Sequence, residues 1–259
     1  MQAAPLPEVT LSEHDGVRYL HLGTPWVQGA MRIARPRAIE LEYVQRMLAS
    51  LLWLEPEDLA RGRAVQLGLG AATLTRFTHA ELGMDTTALE LNPQVILACR
   101  ARLRLPADGP GLQVVCGDAA RWVARPPQGY IGSVRLLHVD LYDHEAAAPV
   151  LDDAGFYARC RALLEPGGVM AVNLFGRQAS LARSAGHIAE AFGTGQVWSI
   201  RPTREGNTVV VAGRDVALPD RAGLVARAAT IEARHGKLGL PARKWLRMVR
   251  PWSARPVPD

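Results

Sequence analysis

Acidic residues gather at the end of an apolar segment in the middle of the chain. Asp140, Asp143 and Glu145 follow the run SVRLLHV at 133–139, which has the length and composition of a buried strand. Acids in this position either cap a loop or face a ligand. Asp140, directly at the strand end, is the strongest candidate of the three for contact with a ligand.

A glycine loop, LGLGAATL at 67–74, follows another apolar strand. Gly68 and Gly70 would let the backbone approach a ligand closely, and the helix that follows would offer free N–H groups. Glu90 ends the next strand about 20 residues further on, where an acid binds ribose hydroxyls. Its alternative role is to cap the helix that begins at Pro93. Loop and acid together predict a nucleoside site.

The third strand ends before the run GDAARW at 117–122. Asp118 can accept a hydrogen bond from an adenine amine or cap the helix that begins at Ala119, and the sequence leaves both roles open. Four successive strands would thus present Gly68, Glu90, Asp118 and Asp140 at their carboxyl ends. Open α/β sheets bind their ligands there.

The segments between these residues alternate between strands and helices. We predict strands at 63–69, 85–91, 112–116, 133–140 and 168–175, and helices at 71–82, 93–104 and 153–164. Such alternation favours a parallel sheet with helices on both faces. Two further strands, near 195–201 and 207–213, lie too close together for a crossover helix and are expected to pair antiparallel at one edge.

The first part of the chain has a different pattern. Short alternating runs over 8–33, broken at Asp15-Gly16 and at Gly23-Thr24-Pro25, predict a small antiparallel sheet, and a helix is expected at about 39–53. The fold class is therefore α/β: a Rossmann-like, mostly parallel sheet with helices on both faces, preceded by a small N-terminal antiparallel β unit. The predicted divisions are a β-hairpin unit with a linking helix at 1–56, a nucleoside-binding catalytic domain at 57–240, and a C-terminal helix and tail at 241–259.

Composition narrows the class of protein. The chain has 259 residues, 48% hydrophobic, and a net charge of +5, but its arginines are spread along the sequence, so we expect no nucleic-acid partner. No apolar run approaches the roughly 20 residues of a membrane span and the first residues do not read as a secretory signal, so a cytoplasmic protein without membrane contact is expected. The three cysteines are expected to be reduced core residues: Cys99, Cys116 and Cys160.

Other catalytic arrangements find little support. His138 and His144 flank the acids of the opening segment, but no further ligand cluster is evident, and we expect no metal. The sequence contains neither a phosphate-binding P-loop nor the nucleophile elbow of serine hydrolases.

The strand-end motifs and the N-terminal unit together resemble the spermidine synthase (polyamine aminopropyltransferase) family, whose catalytic domain has the class I S-adenosylmethionine methyltransferase fold. The resemblance extends over about 10–212 and includes 28–47, which is similar to the family's entry into the catalytic domain. It is carried by LGLGAATLTRF at 67–77, ALELNP at 88–93, GDAARW at 117–122, VDLYDHE at 139–145 and LLEPGGVMAVNLF at 163–175.

The resemblance implies transfer of an aminopropyl group from decarboxylated S-adenosylmethionine to a diamine such as putrescine, with release of methylthioadenosine. The donor would be a co-substrate, with no cofactor bound permanently. Gly68 and Gly70 would line its methionine-derived part, Glu90 would hold its ribose, and Asp118 with Ala119 would lie at its adenine.

The resemblance also assigns the acceptor side of the site. Asp140 would take the proton from the attacking amine, Asp143 and Tyr142 would bind the amine, and Gln28 and Tyr43 would border the substrate site. Pairing of two chains through the N-terminal sheet, as a homodimer, is a further expectation from the family.

Two other functions stay open. The family's glycine loop carries an acid, whereas this chain reads Gly-Leu-Gly-Ala-Ala at 68–72, and the proline of the family's Asp-x-x-Asp-Pro is His144 here. These differences suit either a different aminopropyl acceptor or a methyltransferase that uses intact S-adenosylmethionine on a small substrate. The third possibility is a non-catalytic nucleoside-binding protein.

Overall fold

The backbone forms two sheets. The computed structural model describes residues 6–141, 151–176 and 178–253. The smaller sheet is antiparallel, with its strands in chain order: β1 (Val9–His14), β2 (Val17–Leu22) and β3 (Gly29–Arg32). The antiparallel N-terminal unit predicted over 8–33 is therefore confirmed.

The larger sheet has eight strands within the described ranges. They are β4 (Arg63–Leu67), β5 (Asp85–Glu90), β6 (Leu112–Cys116), β7 (Val134–Val139), β8 (Leu164–Phe175), β9 (Val197–Ile200), β10 (Asn207–Gly213) and β11 (Val249–Pro251). Their order across the sheet is β11-β9-β10-β8-β7-β4-β5-β6, in which β4 to β8 pair in parallel and β9 to β11 add an antiparallel edge. The chain starts in the middle, at β4, and changes direction between β4 and β7, which is the kind of position where such sheets bind ligands.

Helices cover both faces of this sheet. They are α1 (Glu42–Met47), α2 (Thr73–Arg76), α3 (Pro93–Arg102), α4 (Ala119–Ala124), α5 (Ala154–Leu163), α6 (Gln178–Phe192), α7 (Arg221–His235) and α8 (Ala242–Trp245). One face packs α1, α7 and α8 through buried side chains such as Met47, Ile231 and Trp245. The opposite face packs α4, α5 and α6 through side chains such as Val123, Phe156 and Ile188. The predicted fold class is confirmed.

Several predicted elements differ in detail. The helix expected at 39–53 is α-helical only over α1 and continues as a 3-10 helix at Leu48–Trp53, where all six residues are buried and core packing overrides the helical period. The helix expected at 71–82 becomes a π-helical turn at Phe77–Glu81. The strand expected at 168–175 begins earlier, at Leu164, so that Pro166 and Gly167 lie inside β8, near an irregularity in its pairing with β7.

The C-terminal segment contributes a strand as well as a helix. The helix predicted after residue 241 is the single turn α8, and β11 follows it and pairs antiparallel with β9. Trp245 is 1% exposed in the main core, so this segment is anchored by packing. The sequence patterns predict no helix where the structure has α6 and α7. The predicted domain divisions stay a prediction.

Among the described helices, none combines the length and the apolar character needed to cross a bilayer.

The N-terminal sheet lies directly against the glycine loop. A Cβ atom on Gly29, the first residue of β3, would be 2.5 Å from both the Cβ and the backbone nitrogen of Ala71. Leu20 and Met31 of the small sheet share a buried cluster with Leu69 and Ala71. The small sheet therefore covers the carboxyl end of the central strand β4.

This contact predicts that Gly29→Ala destabilises the protein. The added methyl group must push β3 away from Ala71, an overpacking change that costs about 1–3 kcal/mol in free energy of unfolding. Gly186→Ala, in the middle of α6, is the matched control, because nothing lies within 4 Å of its added Cβ. The control is expected to stabilise by about 0.5–1 kcal/mol, so opposite shifts in denaturant midpoint check the contact, and equal shifts would contradict it.

Candidate active site

A cavity of about 480 Å³ lies at the carboxyl ends of the parallel strands, under the small sheet. All predicted site residues within the described ranges line it: Gln28, Tyr43, Gly68, Gly70, Glu90, Asp118, Ala119 and Asp140. Tyr142 and Asp143 lie outside the described residues, as do Glu145 and His144. The structure thus brings together residues that are more than 100 positions apart in the chain, while the role of each stays a prediction.

The glycine loop is shaped by close backbone contacts. Gly68 has a φ of 95°, and a Cβ there would lie 2.1 Å from the carbonyl oxygen of Asp140. Gly70 has a φ of 50°, and a Cβ there would lie 3.0 Å from the carbonyl oxygen of Gln28. Glycine is therefore needed at position 68 both for its conformation and for the approach of β4 to β7.

Core side chains bind the carbonyl oxygens of this loop. The guanidinium of Arg76 donates to the carbonyls of Ala71 at 2.7 Å and Leu103 at 2.6 Å, and the thiol of Cys99 donates to that of Gly70 at 3.1 Å. Burial lowers the pKa of Arg76 to about 10, so the side chain is still a cation at pH 7. These hydrogen bonds reach the loop carbonyl groups from the core side and fix the position of the loop.

The side chain of Glu90 links the glycine loop to the segment that follows β5. Its Oε2 accepts from the backbone N–H of Leu69 at 3.2 Å, and its Oε1 accepts from that of Asn92 at 2.9 Å. The predicted alternative, a cap for the helix at Pro93, is wrong, because the cap is Asn92, whose side chain accepts from the N–H of Gln94 at 3.0 Å.

The carboxylate of Glu90 keeps acceptor capacity for a ligand. Burial raises the pKa of Glu90, against the effect of the backbone N–H groups. The backbone N–H groups of Leu69, Leu91 and Asn92 act on this carboxylate, and an ionised carboxylate has about four acceptor positions, which leaves acceptor capacity for a ligand hydroxyl group. The position is suited to binding a ribose diol.

Asp118 caps α4 and also lines the cavity. Its Oδ1 accepts from the N–H groups of Ala120 at 2.7 Å and Arg121 at 3.2 Å. The structure therefore bears out the capping role that the sequence left open. Both bonds go to one oxygen, so capping is compatible with contact to an adenine amine, which stays a prediction.

Asp140 lies half-buried immediately after β7. Its Oδ1 accepts from Nδ2 of Asn173 at 2.9 Å, and the side chain of Tyr43 is also hydrogen-bonded to it. Burial raises the pKa of Asp140, while the bonds from Asn173 and Tyr43 act in the opposite direction. A carboxylate with a raised pKa is a stronger proton acceptor, so this group suits general base catalysis.

Other lining residues were not predicted. Asn173 lies near the carboxyl end of β8, two residues before its last residue, and so follows nearly the same strand-end rule that found the acids. Asn207 begins the antiparallel strand β10, and Glu205 belongs to the turn before it. The small sheet adds an apolar wall that includes Leu22 and Trp26.

No cluster of metal-ligating side chains occurs within the described part of the chain. His138 is fully buried on β7, and burial lowers its pKa to about 3, so its ring is neutral at pH 7.

Fold and cavity together define a class of protein. A parallel sheet that starts at its centre, with strands in the order β6-β5-β4-β7-β8 and an antiparallel β10 beside them, is the class I methyltransferase fold. The glycine loop, Glu90 and Asp140 surround its cavity. The protein is therefore a methyltransferase-fold protein with a site suited to a nucleoside.

Comparison of sequences gives the family. No protein-family model matches the sequence. A polyamine aminopropyltransferase of Chromobacterium violaceum is 30% identical over 234 residues, which cover 89% of this chain and 86% of that protein. The chain belongs to the polyamine aminopropyltransferase family, which is a family of transferases.

Comparison of structures agrees on the fold. A probable spermidine synthase from Corynebacterium glutamicum superimposes with a TM-score of 0.73 over 100% of both chains, at 17% identity. Human methyltransferase-like protein 13, in complex with SAH, superimposes with a TM-score of 0.64 over 83% of this chain and 96% of that one, at 18% identity. At these identities the likeness shows the fold and not the reaction.

The two roles of Asp118 can be separated. Asp118→Ala removes the cap of α4 and is expected to cost about 1 kcal/mol in free energy of unfolding. Asp118→Asn keeps a capping oxygen and is expected to preserve stability. If the carboxylate also binds the adenine amine, Asp118→Asn lowers affinity for methylthioadenosine about tenfold while the denaturation curve stays in place. Unchanged affinity in Asp118→Asn would leave capping as the role of this side chain.

Proposed function

We propose that the protein transfers an aminopropyl group from decarboxylated S-adenosylmethionine to a diamine or polyamine and releases methylthioadenosine. One observation carries the proposal beyond family membership. Four carboxylates line the cavity, from Glu90, Asp118, Asp140 and Glu205, and no arginine, lysine or histidine is among its described lining residues. The cavity is therefore built for cations.

Both substrates of the proposed reaction are cations. The donor carries a sulfonium and a primary ammonium, and a diamine carries two ammonium groups at neutral pH, because their pKa values lie near 10. Intact S-adenosylmethionine differs from the donor by a carboxylate. That carboxylate would enter a cavity lined by acids without a cationic partner among the described residues, which disfavours it.

Asp140 suits the proton transfer that the reaction needs. Freeing the lone pair of an ammonium at pH 7 costs roughly 4–5 kcal/mol, so the site must accept that proton as the amine attacks. The nitrogen then bonds to the carbon beside the sulfonium, the carbon–sulfur bond breaks, and its electron pair neutralises the sulfur. The leaving thioether needs no acid, so a single well-placed base is sufficient.

Position 71 favours a second candidate. The loop carries Ala71, where the family carries an acid for the donor's ammonium group, and loss of that acid removes one reason to exclude intact S-adenosylmethionine. Methyl transfer to a small amine is therefore the competing function.

The products distinguish the two functions. Incubation with decarboxylated S-adenosylmethionine and putrescine is expected to release methylthioadenosine, and calorimetric titration is expected to give tighter binding of that donor than of intact S-adenosylmethionine. We expect the difference in affinity to be at least about tenfold, since a carboxylate without a partner is costly to bury. Release of S-adenosylhomocysteine from the intact compound would establish methyl transfer instead. Absence of methylthioadenosine with any di- or polyamine would refute the proposal.

Asp140→Asn is expected to abolish turnover while it preserves nucleoside binding. The amide keeps the shape of the carboxylate but does not accept the proton, and loss of a general base lowers kcat about 10²–10⁴-fold. Affinity for methylthioadenosine should change by less than about threefold, because the substitution removes an interaction with the transition state and not one that binds the nucleoside. Asp15→Asn is the matched control, because Asp15 is an exposed acid in the β1–β2 turn and does not line the cavity.

The pH profile gives a second measurement on the same residue. Asp140 accepts a proton only when ionised, and burial raises its pKa above the ordinary aspartate value of about 3.9. The rate of the wild-type enzyme should therefore fall as the pH drops through that raised pKa. Residual activity of Asp140→Asn with the same acidic limb would assign the limb to another group.

A further inference from the structure

A chain of side-chain hydrogen bonds leads from the turn before β10 to Asp140. The Thr203 hydroxyl lies 3.5 Å from Oδ1 of Asn207 and accepts from the backbone N–H of that residue at 3.1 Å. Nδ2 of Asn207 donates to Oδ1 of Asn173 at 3.1 Å, and Nδ2 of Asn173 donates to Oδ1 of Asp140 at 2.9 Å. Three neighbouring strands, β10, β8 and β7, are thus joined at their site-facing ends.

The direction of these bonds follows from the chemistry of the groups. An ionised carboxylate only accepts, so Asn173 must turn its NH2 group toward Asp140. Its oxygen then faces Asn207 and needs a donor, which the NH2 group of Asn207 supplies. Loss of that donor removes one of the bonds that hold the Asn173 amide in this orientation, and a rotation by half a turn would present its oxygen to the carboxylate, which favours the protonated acid.

We propose that Asn207 is a positioning residue, which acts through Asn173 to keep Asp140 ionised and aimed at the acceptor amine. The inference rests on the proposed function, since it concerns the base of that reaction. Asn207 touches Asp140 only through Asn173 in this chain of bonds, so its effect on the base is indirect. Asn173 is 4% exposed, so its amide depends on hydrogen bonds within the protein.

Other charged or titratable groups face Asp140 from the surrounding elements. Those within the described residues are Tyr43 of α1, the buried neutral His138 on β7, and the cavity acids Glu90, Asp118 and Glu205. These groups are the same in wild type and in variants of the amide chain. A change confined to the amide chain must therefore be measured against this constant background.

The first test is a double-mutant cycle with a pH profile. Asn207→Leu, Asn173→Leu and the double variant are compared with wild type for kcat and KM between pH 5 and 9. Each single change is expected to move the acidic limb of kcat upward by about one unit, which is about a tenfold loss on that limb, with the donor KM changed less than about twofold. Because Asn207 acts through Asn173, the double variant should be no slower than Asn173→Leu. Additive losses would overturn the inference.

A variant of identical shape separates positioning from packing. Asn207→Asp offers only acceptors at high pH, so Asn173 must turn its NH2 group toward position 207 and its oxygen toward Asp140. We expect a loss larger than that of Asn207→Leu, about a hundredfold on the acidic limb. Packing alone predicts the reverse order, since Asp fits the space of Asn. In the Asn173→Leu background there is no amide to turn, so Asn207→Asp can act only through its negative charge. The further loss of rate caused by Asn207→Asp should then be less than about threefold.

A direct titration tests the inference without turnover. Carbon-13 NMR of aspartate side-chain carboxyls, with the Asp140 signal assigned by its absence in Asp140→Asn, should report a titration about one pH unit higher in Asn207→Leu than in wild type. An unshifted signal would overturn the inference even if the rates change. If wild type releases no methylthioadenosine, the proposed function fails, and this titration still decides the role of Asn207. Should Asn207→Leu not fold, the isosteric Asn207→Asp takes its place, with an upward shift again expected.

Discussion

The close approach of two strand ends is the constraint on which the site depends. At the point where the sheet changes direction, the residue after β4 and the residue after β7 are in contact, and a Cβ on Gly68 would lie 2.1 Å from the carbonyl oxygen of Asp140. The main-chain bond from the Asp140 N–H to the Leu67 carbonyl, 2.9 Å long, extends the pairing of these strands by one residue. Any side chain at position 68 would force the two strand ends apart. It would thereby separate the glycine loop from Asp140. Glycine here sets the distance between the donor and the group that is expected to accept the proton.

Closure by the small sheet turns this strand edge into a cavity. Its apolar residues, such as Leu20 and Leu22, form one wall, whereas the strand ends supply the carboxylates of the opposite wall. A low-polarity wall strengthens electrostatic interactions in the cavity and raises the pKa of acids that face it. The same closure therefore favours cations and makes Asp140 a stronger base. The low-polarity wall therefore acts both on the charge of the cavity and on the pKa of Asp140.

The sequence predicted the fold and the acids of the site because both follow a local rule. Short apolar runs that each end in a glycine or an acid place their polar residues at one edge of a parallel sheet, so Glu90, Asp118 and Asp140 could be grouped without coordinates. Asn207 could not, since it begins an antiparallel strand whose site-facing end is its amino end. Glu205 reaches the cavity from a turn with no recognisable pattern. The 3-10 segment after α1 and the strand β11 likewise depend on packing between distant parts of the chain, which periodicity does not report.

The alanine in the glycine loop lies under tight packing from the small sheet. Ala71 is 3% exposed, and the backbone of Gly29 approaches it so closely that even a methyl group on Gly29 would collide with it. An acid at position 71 would meet β3, or would be buried without a cation to pair with it among the described lining residues of the cavity, at a cost of several kcal/mol. Close docking of the small sheet therefore restricts the size of the side chain at this position. The negative charge of the cavity is instead held at the strand ends and in the turn before β10, where the carboxylates keep contact with the open space that a cationic substrate would fill.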